Sequence, residues 1–317
     1  MRIRVLGSAA GGGFPQWNCA CTNCSALRDG RIKARPRTQF QIALATFPPD
    51  TPPRHRFWSL IGASPDLRSQ VAATPELAPI AGSNGSPISA VYLPSADVDA
   101  VMGLLHLREF QTFLLVATEA VRSVLWQDNA IFRVLTRANP PVAWTSLEFA
   151  GDPRTPAHHS PNDPYDTFCY AVPLGGEFPD YVSDRLRGEL PAEEAVVAFV
   201  FEQAGKRLFV APSLSGRNSV WKRWVESSDL ILIDGTFWSD DELIQTGRSK
   251  KTAREIGHLP LSGPGGLLGQ YPKDAKGRKV LIHINNTNPI LDEDSAEHHA
   301  VLDAGFEIAY DGMEFEL

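Results

Sequence analysis

Ile3-Arg4-Val5-Leu6-Gly7-Ser8-Ala9-Ala10-Gly11-Gly12-Gly13 is a short strand that runs straight into a loop of small residues. Consecutive glycines let such a loop take positive φ and pass close to whatever lies beside it. Outward from this stretch the same arrangement recurs, a short apolar run halted by Gly, Pro or a polar residue. Residues 39–47, 56–61, 88–93 and 113–117 read as strands in the first half, and 195–201, 207–211, 230–234 and 279–283 in the second. A helix is predicted over 97–110, with Val98, Val101, Met102 and Leu105 at i, i+3, i+4 and i+7, and another over 215–227. Strands dominate both ends with helices interposed, which predicts two sheets flanked by helices and not a doubly wound single sheet.

The chain has 317 residues, 43% hydrophobic and 21% charged, enough to bury a large core. A net charge of −7 leaves no basic surplus to neutralise phosphates, which argues against nucleic acid as a partner. No apolar run approaches the ~18 residues of a membrane helix. The opening Met1–Gly7 carries two arginines and then glycines instead of an apolar segment, so a cytoplasmic location is expected. The whole of 1–317 is taken as one domain, with a Pro-rich loop excursion around 138–183 containing Pro140, Pro141, Pro153, Pro156, Pro161 and Pro164.

Three of the four cysteines crowd into Cys19-Ala20-Cys21-Thr22-Asn23-Cys24. Three sulfurs in six residues cannot all pair with one another, and without an export signal a zinc site is the better reading. Its tetrahedron leaves one vertex for a distant residue. His283, which ends a buried strand, is the first choice for it. Cys169 stands alone and reads as a small core residue.

Polar residues collect where the apolar strands stop. Asp66 follows Ser64-Pro65; Ser95, Asp97 and Asp99 follow strand 88–93; Asp234 closes Leu230-Ile231-Leu232-Ile233; His258 and His283 sit at similar stops. Carboxylates and imidazoles at strand ends are how α/β folds assemble catalytic and metal sites. Asp97 is equally well placed to cap the helix that follows it, with Asp99 as a first-turn charge. Asp240, Asp241 and Glu242 read as the acidic start of another helix. The turn Asn285-Asn286-Thr287-Asn288 offers amides able to brace a ligand histidine from behind.

These motifs together resemble the coenzyme PQQ synthesis protein B family of the metallo-β-lactamase-like superfamily. The resemblance runs nearly end to end, through residues 5–19, Ala63-Ser64-Pro65-Asp66-Leu67-Arg68, residues 103–109, Asp234-Gly235-Thr236, Gly257-His258 and residues 282–289. It implies an α/β fold, an αββα sandwich of two mixed β-sheets flanked by helices. It also implies a part in making the redox cofactor pyrroloquinoline quinone (PQQ), as an iron-dependent hydroxylase acting on a tyrosine-derived intermediate. The alternative it carries is a non-catalytic carrier that takes PQQ or its precursor to the periplasm. The superfamily motif H-x-H-x-D-H falls on Ser95-Ala96-Asp97-Val98-Asp99-Ala100, where only Asp99 matches, and the usual bridging aspartate falls on Pro212. A two-metal hydrolytic site is therefore not expected.

The sequence thus predicts a structural zinc on Cys19, Cys21, Cys24 and His283, with a catalytic iron as a second metal. Asp99 and His258 suit ligation of that iron, and Asp234 and Asp66 suit orienting ligands or taking a proton. Arg68 and Arg108 are the candidate cations for an acidic substrate, PQQ being a tricarboxylate. PQQ or a precursor and other PQQ-biosynthesis proteins are the expected partners; the oligomeric state is left open, a homodimer included.

Overall fold

Apolar runs as short as Leu230-Ile231-Leu232-Ile233 can be strands only if both faces are covered, because every side chain along them is hydrophobic. The computed structural model of the chain shows how this is met. It describes all residues except 49, 53–54, 83–84, 110, 148–157 and 160–166, and of His158 and His159 only the backbone. The first sheet contains β1 (Arg2–Gly7), β2 (Gln41–Ala45), β3 (Trp58–Ile61), β4 (Ile88–Tyr92), β5 (Leu114–Thr118) and β6 (Ala143–Leu147). The second contains β7 (His158–His159), β8 (Phe168–Pro173), β9 (Val197–Gln203), β10 (Lys206–Ala211), β11 (Leu230–Asp234), β12 (Arg278–Ile282) and β13 (Glu307–Ile308). The last strand, β14 (Glu314–Glu316), returns to the first sheet and pairs antiparallel with β1.

The strand orders are β14-β1-β2-β3-β4-β5-β6 and β13-β12-β11-β10-β9-β8-β7. Each sheet is mixed: β14 to β3 and β7 to β10 pair antiparallel, and β3 to β6 and β10 to β13 pair parallel. Alternation along a strand sends Leu230 and Leu232 into the layer between the sheets, with Val5, Ile42, Phe199 and Val280. Ile231 and Ile233 face the other way, into the layer under the helices with Trp221, Val225 and Leu281. The architecture is therefore the expected αββα sandwich.

Parallel strands put their C-terminal ends on one edge, and both sheets share that edge. There the sheets are stitched by isolated bridges, Ala9 to Ile284 and Ser95 to Val196. Gly7 is obligatory at this crowding, since a methyl group on it would lie 2.0 Å from Gln39 O.

Three expectations change. The helix over 97–110 is an α-helix only at Val98–Val101, followed by a 3-10 turn at Met102–Leu105. Gly103 presses its backbone onto the 63–64 segment, its N–H donating to Ala63 O at 2.7 Å, so the path tightens. Phe110 lies outside the described residues. The helix over 215–227 is confined to Trp221–Glu226, because Ser215 instead ties its hydroxyl to Leu174 O and Gly175 O. The Pro-rich excursion is not structureless: β6, β7 and β8 extend the two sheets from within it. Its Pro153, Pro156, Pro161 and Pro164 lie outside the described residues. Among the described residues no helix is long and apolar enough to cross a membrane.

Candidate metal centres

A cavity of about 500 Å³ opens at the shared edge of the sheets. Asp97, Asp99, His258, His283, Thr236 and Asn285 are among its walls. Four of the groups predicted from the sequence thus converge: Asp99, Asp234, His258 and His283.

Asp234 ends β11 with no exposed surface. Oδ1 accepts the Thr236 N–H at 2.9 Å and lies 2.6 Å from the Thr236 hydroxyl, while Oδ2 accepts the Leu214 N–H at 2.8 Å and faces His258 Nδ1 at 2.8 Å. Burial opposes ionisation, but the neighbouring His258 outweighs it and holds this carboxyl below the usual range. The reciprocal effect raises His258: burial lowers it, and Asp234, then Asp97 and Asp99, more than compensate. His258 reaches this place because Gly257 takes φ +89° at the end of a 3-10 turn and folds the chain back.

His283 follows β12 at φ +57°, an uncommon conformation for a residue with a Cβ. Thr236 Oγ1 holds it, lying 2.8 Å from both its Nδ1 and its carbonyl oxygen. Its Nε2 faces Asp99 Oδ2 at 3.0 Å, and its ring stacks on His258 with centroids 5.3 Å apart. Burial raises the Asp99 carboxyl, yet the contact with His283 leaves it below the ordinary value. Asp97 is pushed the other way, by burial and then by Asp99. Asp97 does not cap its helix; its carboxylate accepts the Ser95 hydroxyl at 2.7 Å. Ser95, Asp97 and Ala100, the positions without histidine, all line the cavity, as does Pro212.

The cysteines form a separate group. Cys19, Cys21 and Cys24 have sulfurs within 4.8 Å of one another at the start of the helix Thr22–Arg28. Burial raises the Cys21 thiol to about 11, whereas the Cys21 N–H draws Cys19 below its ordinary value despite its burial. His283 is not among them, contrary to expectation: its positive φ and the Thr236 contacts turn it into the cavity. The place over the three sulfurs belongs to Asn286, whose Nδ2 lies 3.1, 3.5 and 3.3 Å from Cys19, Cys21 and Cys24 Sγ.

Other candidates lie apart from the cavity. Asp66 Oδ2 accepts from Gln39 N at 2.9 Å and Nε2 at 3.1 Å, and Gln39 Oε1 in turn accepts the Gly12 N–H at 3.0 Å. It braces the glycine loop and touches none of the converging groups. Arg68 and Arg108 are exposed outside the cavity, Arg108 paired with Glu109 at 2.6 Å. The cations that do line the cavity are Arg217, paired with Glu177 at 2.6 Å, and Lys251, which makes no ion pair among the described residues. Nothing in the local sequence marked either one. Glu242 does open a helix, Glu242–Gln245, but not in solvent: it is 6% exposed and accepts the Thr287 hydroxyl at 2.5 Å and the Trp238 N–H at 2.7 Å.

Residues 57–284 match the family model described as beta-lactamase superfamily domain. Over its full length, and theirs, the chain is 42% identical to coenzyme PQQ synthesis protein B of Azoarcus sp. (strain BH72) and 41% to that of Pseudomonas paraeruginosa (strain DSM 24068 / PA7). Among solved structures, Zn(2+)-bound PqqB from Methylobacterium extorquens superposes with a TM-score of 0.86 at 36% identity, all of both chains being covered. A diphosphatase of the PhnP family shares the fold at a TM-score of 0.61 and 17% identity, over 100% of this chain and 97% of its own.

Proposed function

The chain belongs to the coenzyme PQQ synthesis protein B family of the beta-lactamase superfamily and has its role in PQQ biosynthesis; from that premise we propose that it is an enzyme hydroxylating a tyrosine-derived intermediate at one metal held by Asp99, His258 and His283. The observation that carries this reading is the facing pair His283 Nε2 and Asp99 Oδ2, 3.0 Å apart. The Thr236 hydroxyl has one proton, and its nearer acceptor is Asp234 Oδ1 at 2.6 Å. With the proton placed there, the hydroxyl oxygen accepts from His283 Nδ1–H, and Nε2 is left to face the carboxylate or a metal. At 3.0 Å the two make an ordinary hydrogen-bonding contact, and a metal ion would take the place of the proton between nitrogen and oxygen. An imidazole nitrogen and a carboxylate oxygen are the hard N/O donors that would hold iron.

Iron bound there would supply the activation of O₂ that ring hydroxylation requires. The chain's own groups do the rest. Asp234 has both oxygens occupied by donors, so it orients His258 through Nδ1 and leaves Nε2 for the cavity. Asp97, held above the ordinary carboxylate range by burial and Asp99, is an acid able to keep a proton beside the ligands. Tyr181, its hydroxyl donating to Ala96 O, covers the site together with Phe178 and limits water. Lys251 and Arg217 take the anionic end of the substrate, the role first expected of Arg68 and Arg108. Cys19, Cys21 and Cys24 hold a structural zinc. We place this work in the cytoplasm, alongside other PQQ-biosynthesis proteins.

A carrier of PQQ or its precursor is the second reading, favoured by the one observation that cavity cations suit a tricarboxylate. Metal analysis of protein loaded anaerobically with Fe(II), together with PQQ output in a strain lacking its own copy, separates the two. The enzyme reading expects iron in addition to zinc, and loss of PQQ in Asp99→Ala and His283→Ala with the fold retained. Losing one first-turn charge at Asp99 costs the helix only ~0.3–1 kcal/mol. Normal PQQ output from both variants would leave the carrier.

A further inference from the structure

We infer that Glu242, acting through Thr287, turns the side-chain oxygen of Asn285 toward the cavity, and so selects a substrate that donates a hydrogen bond there, as the phenolic O–H of a tyrosine-derived ring does. The inference deepens the reading of the cavity as a hydroxylation site and rests on it. Asn285 is the member of its turn that lines the cavity. Its backbone N–H donates at 3.1 Å to the carbonyl oxygen of Thr236, the residue that holds His283. Its Nδ2 lies 2.6 Å from Thr287 Oγ1, which in turn lies 2.5 Å from Glu242 Oε1. Thr287 and Glu242 stand behind the cavity wall and are not part of it.

Proton counting fixes the direction of this chain. An ionised carboxylate only accepts, and a threonine hydroxyl has one proton. Thr287 therefore donates to Glu242, and its oxygen is left to accept. The end of the Asn285 amide that faces it must then be the NH₂ group. The other end, Oδ1, has no hydrogen-bond partner among the described residues and is not sealed from solvent, so it is the acceptor that Asn285 offers the cavity. Glu242 is itself pinned, because its Oε2 accepts the Trp238 N–H at 2.7 Å. Burying an acid is unfavourable, but an apolar side chain in its place would leave the amide free to turn either way.

Glu242→Gln reverses the chain and keeps its shape. The Trp238 N–H still calls for an oxygen, which aims the new side chain's NH₂ group at Thr287. Thr287 then accepts from that group and donates to the Asn285 amide, whose oxygen turns back and whose NH₂ group faces the cavity. The wall changes from acceptor to donor at constant volume. Glu242 is thus a positioning residue, and Asn285 the one that meets the substrate.

Two probes read this by titration of Fe(II)-loaded protein without O₂, so without turnover. They are 3-(4-hydroxyphenyl)propionate, whose hydroxyl donates, and its methyl ether, which only accepts. The pH is set one unit above the value of about 7 to which burial raises Glu242, so that its carboxylate form prevails. Wild type should bind the phenol about five-fold more tightly than the ether, the worth of one hydrogen bond. In Glu242→Gln that ratio should fall about five-fold with Fe(II) content unchanged; the bulk of the methyl group is the same in both proteins and cancels. Asn285→Leu should lose the preference by weakening the phenol alone, and it decides if Glu242→Gln does not fold. Two affinities that fall together in Glu242→Gln, with the ratio kept, would make Glu242 a structural acid and overturn the inference, as would a wild type that does not favour the phenol. A wild type that binds neither probe would sink the reading of the cavity as a site for a phenolic substrate, and the inference with it.

Discussion

His258 Nδ1 lies 2.8 Å from Asp234 Oδ2, and that carboxylate has no exposed surface. Such a buried pair sets the ring's orientation and its tautomer together. Asp234→Asn should fold and still bind the cavity metal, but 10- to 100-fold more weakly, the usual effect of losing a carboxylate behind a ligand histidine. The pair also leaves a mark on stability. Asp234 sits below its ordinary value, so its contribution is present above about pH 4 and lost as pH falls through the folded pKa. His258 sits above its ordinary value, so its contribution is present below about pH 6.5 and lost as pH rises through the folded pKa. Melting curves of metal-free protein should show both limbs in wild type, whereas Asp234→Asn should lose the acid limb and keep only a reduced His258 limb from Asp97 and Asp99; identical profiles would deny the pairing.

Glu242 predicts a slope opposite to that of Asp234. Burial raises it to about 7, above the 4.5 of an exposed glutamate, so the folded state holds its proton longer than the unfolded chain. Stability is then lost as pH rises from 4.5 through about 7, by about 3 kcal/mol in all. Glu242→Gln should match wild type near pH 4 and exceed it above pH 7. Denaturant midpoints at the two pH values measure the difference.

Lys251 and Arg217 should govern capture of the anionic ligand and not the metal. Removing either exposed cation should weaken PQQ binding about five-fold, the equivalent of about 1 kcal/mol, and the loss should shrink in high salt. Metal content should stay the same. A Lys251→Ala protein that binds PQQ as wild type does would move the anion site elsewhere.

Generic metallo-hydrolase activity should be absent. Activating water between two ions needs ligands that Ser95, Asp97, Ala100 and Pro212 do not supply as the superfamily motif would. Zinc- or manganese-stimulated turnover of a phosphodiester or a β-lactam would contradict this.

The sandwich was legible in the sequence because its inner strands, such as β2 and β11, are runs buried on both faces and stopped by a polar residue. Asp99, Asp234, His258 and His283 could be singled out by that rule alone. Their partnerships could not. Asp99 and His283 are 184 residues apart and meet only because β4 and β12 end on one edge of two packed sheets. His283 was assigned to the cysteines since nothing local announces a positive φ, and Asn286 was seen as a brace although its amide faces the sulfurs directly. Glu242 resembled an ordinary acidic helix start until the Asn285–Asn288 turn closed over it. Arg217 and Lys251 lie in unpatterned loops, whereas Arg68 and Arg108 drew notice from motifs whose charged members face solvent.

The return of β14 to the first sheet ties the timing of assembly to synthesis. Arg2, Ile3 and Arg4 pair with Glu316, Phe315 and Glu314, so β1 leaves the ribosome with one edge bare until those last residues are made. At 5–20 residues per second that wait is on the order of 15–60 s. Throughout it the nascent first sheet presents an unpaired edge, and a free edge invites pairing with another chain. Arg2 and Arg4, alternating along that edge, put charge where a stray strand would have to dock.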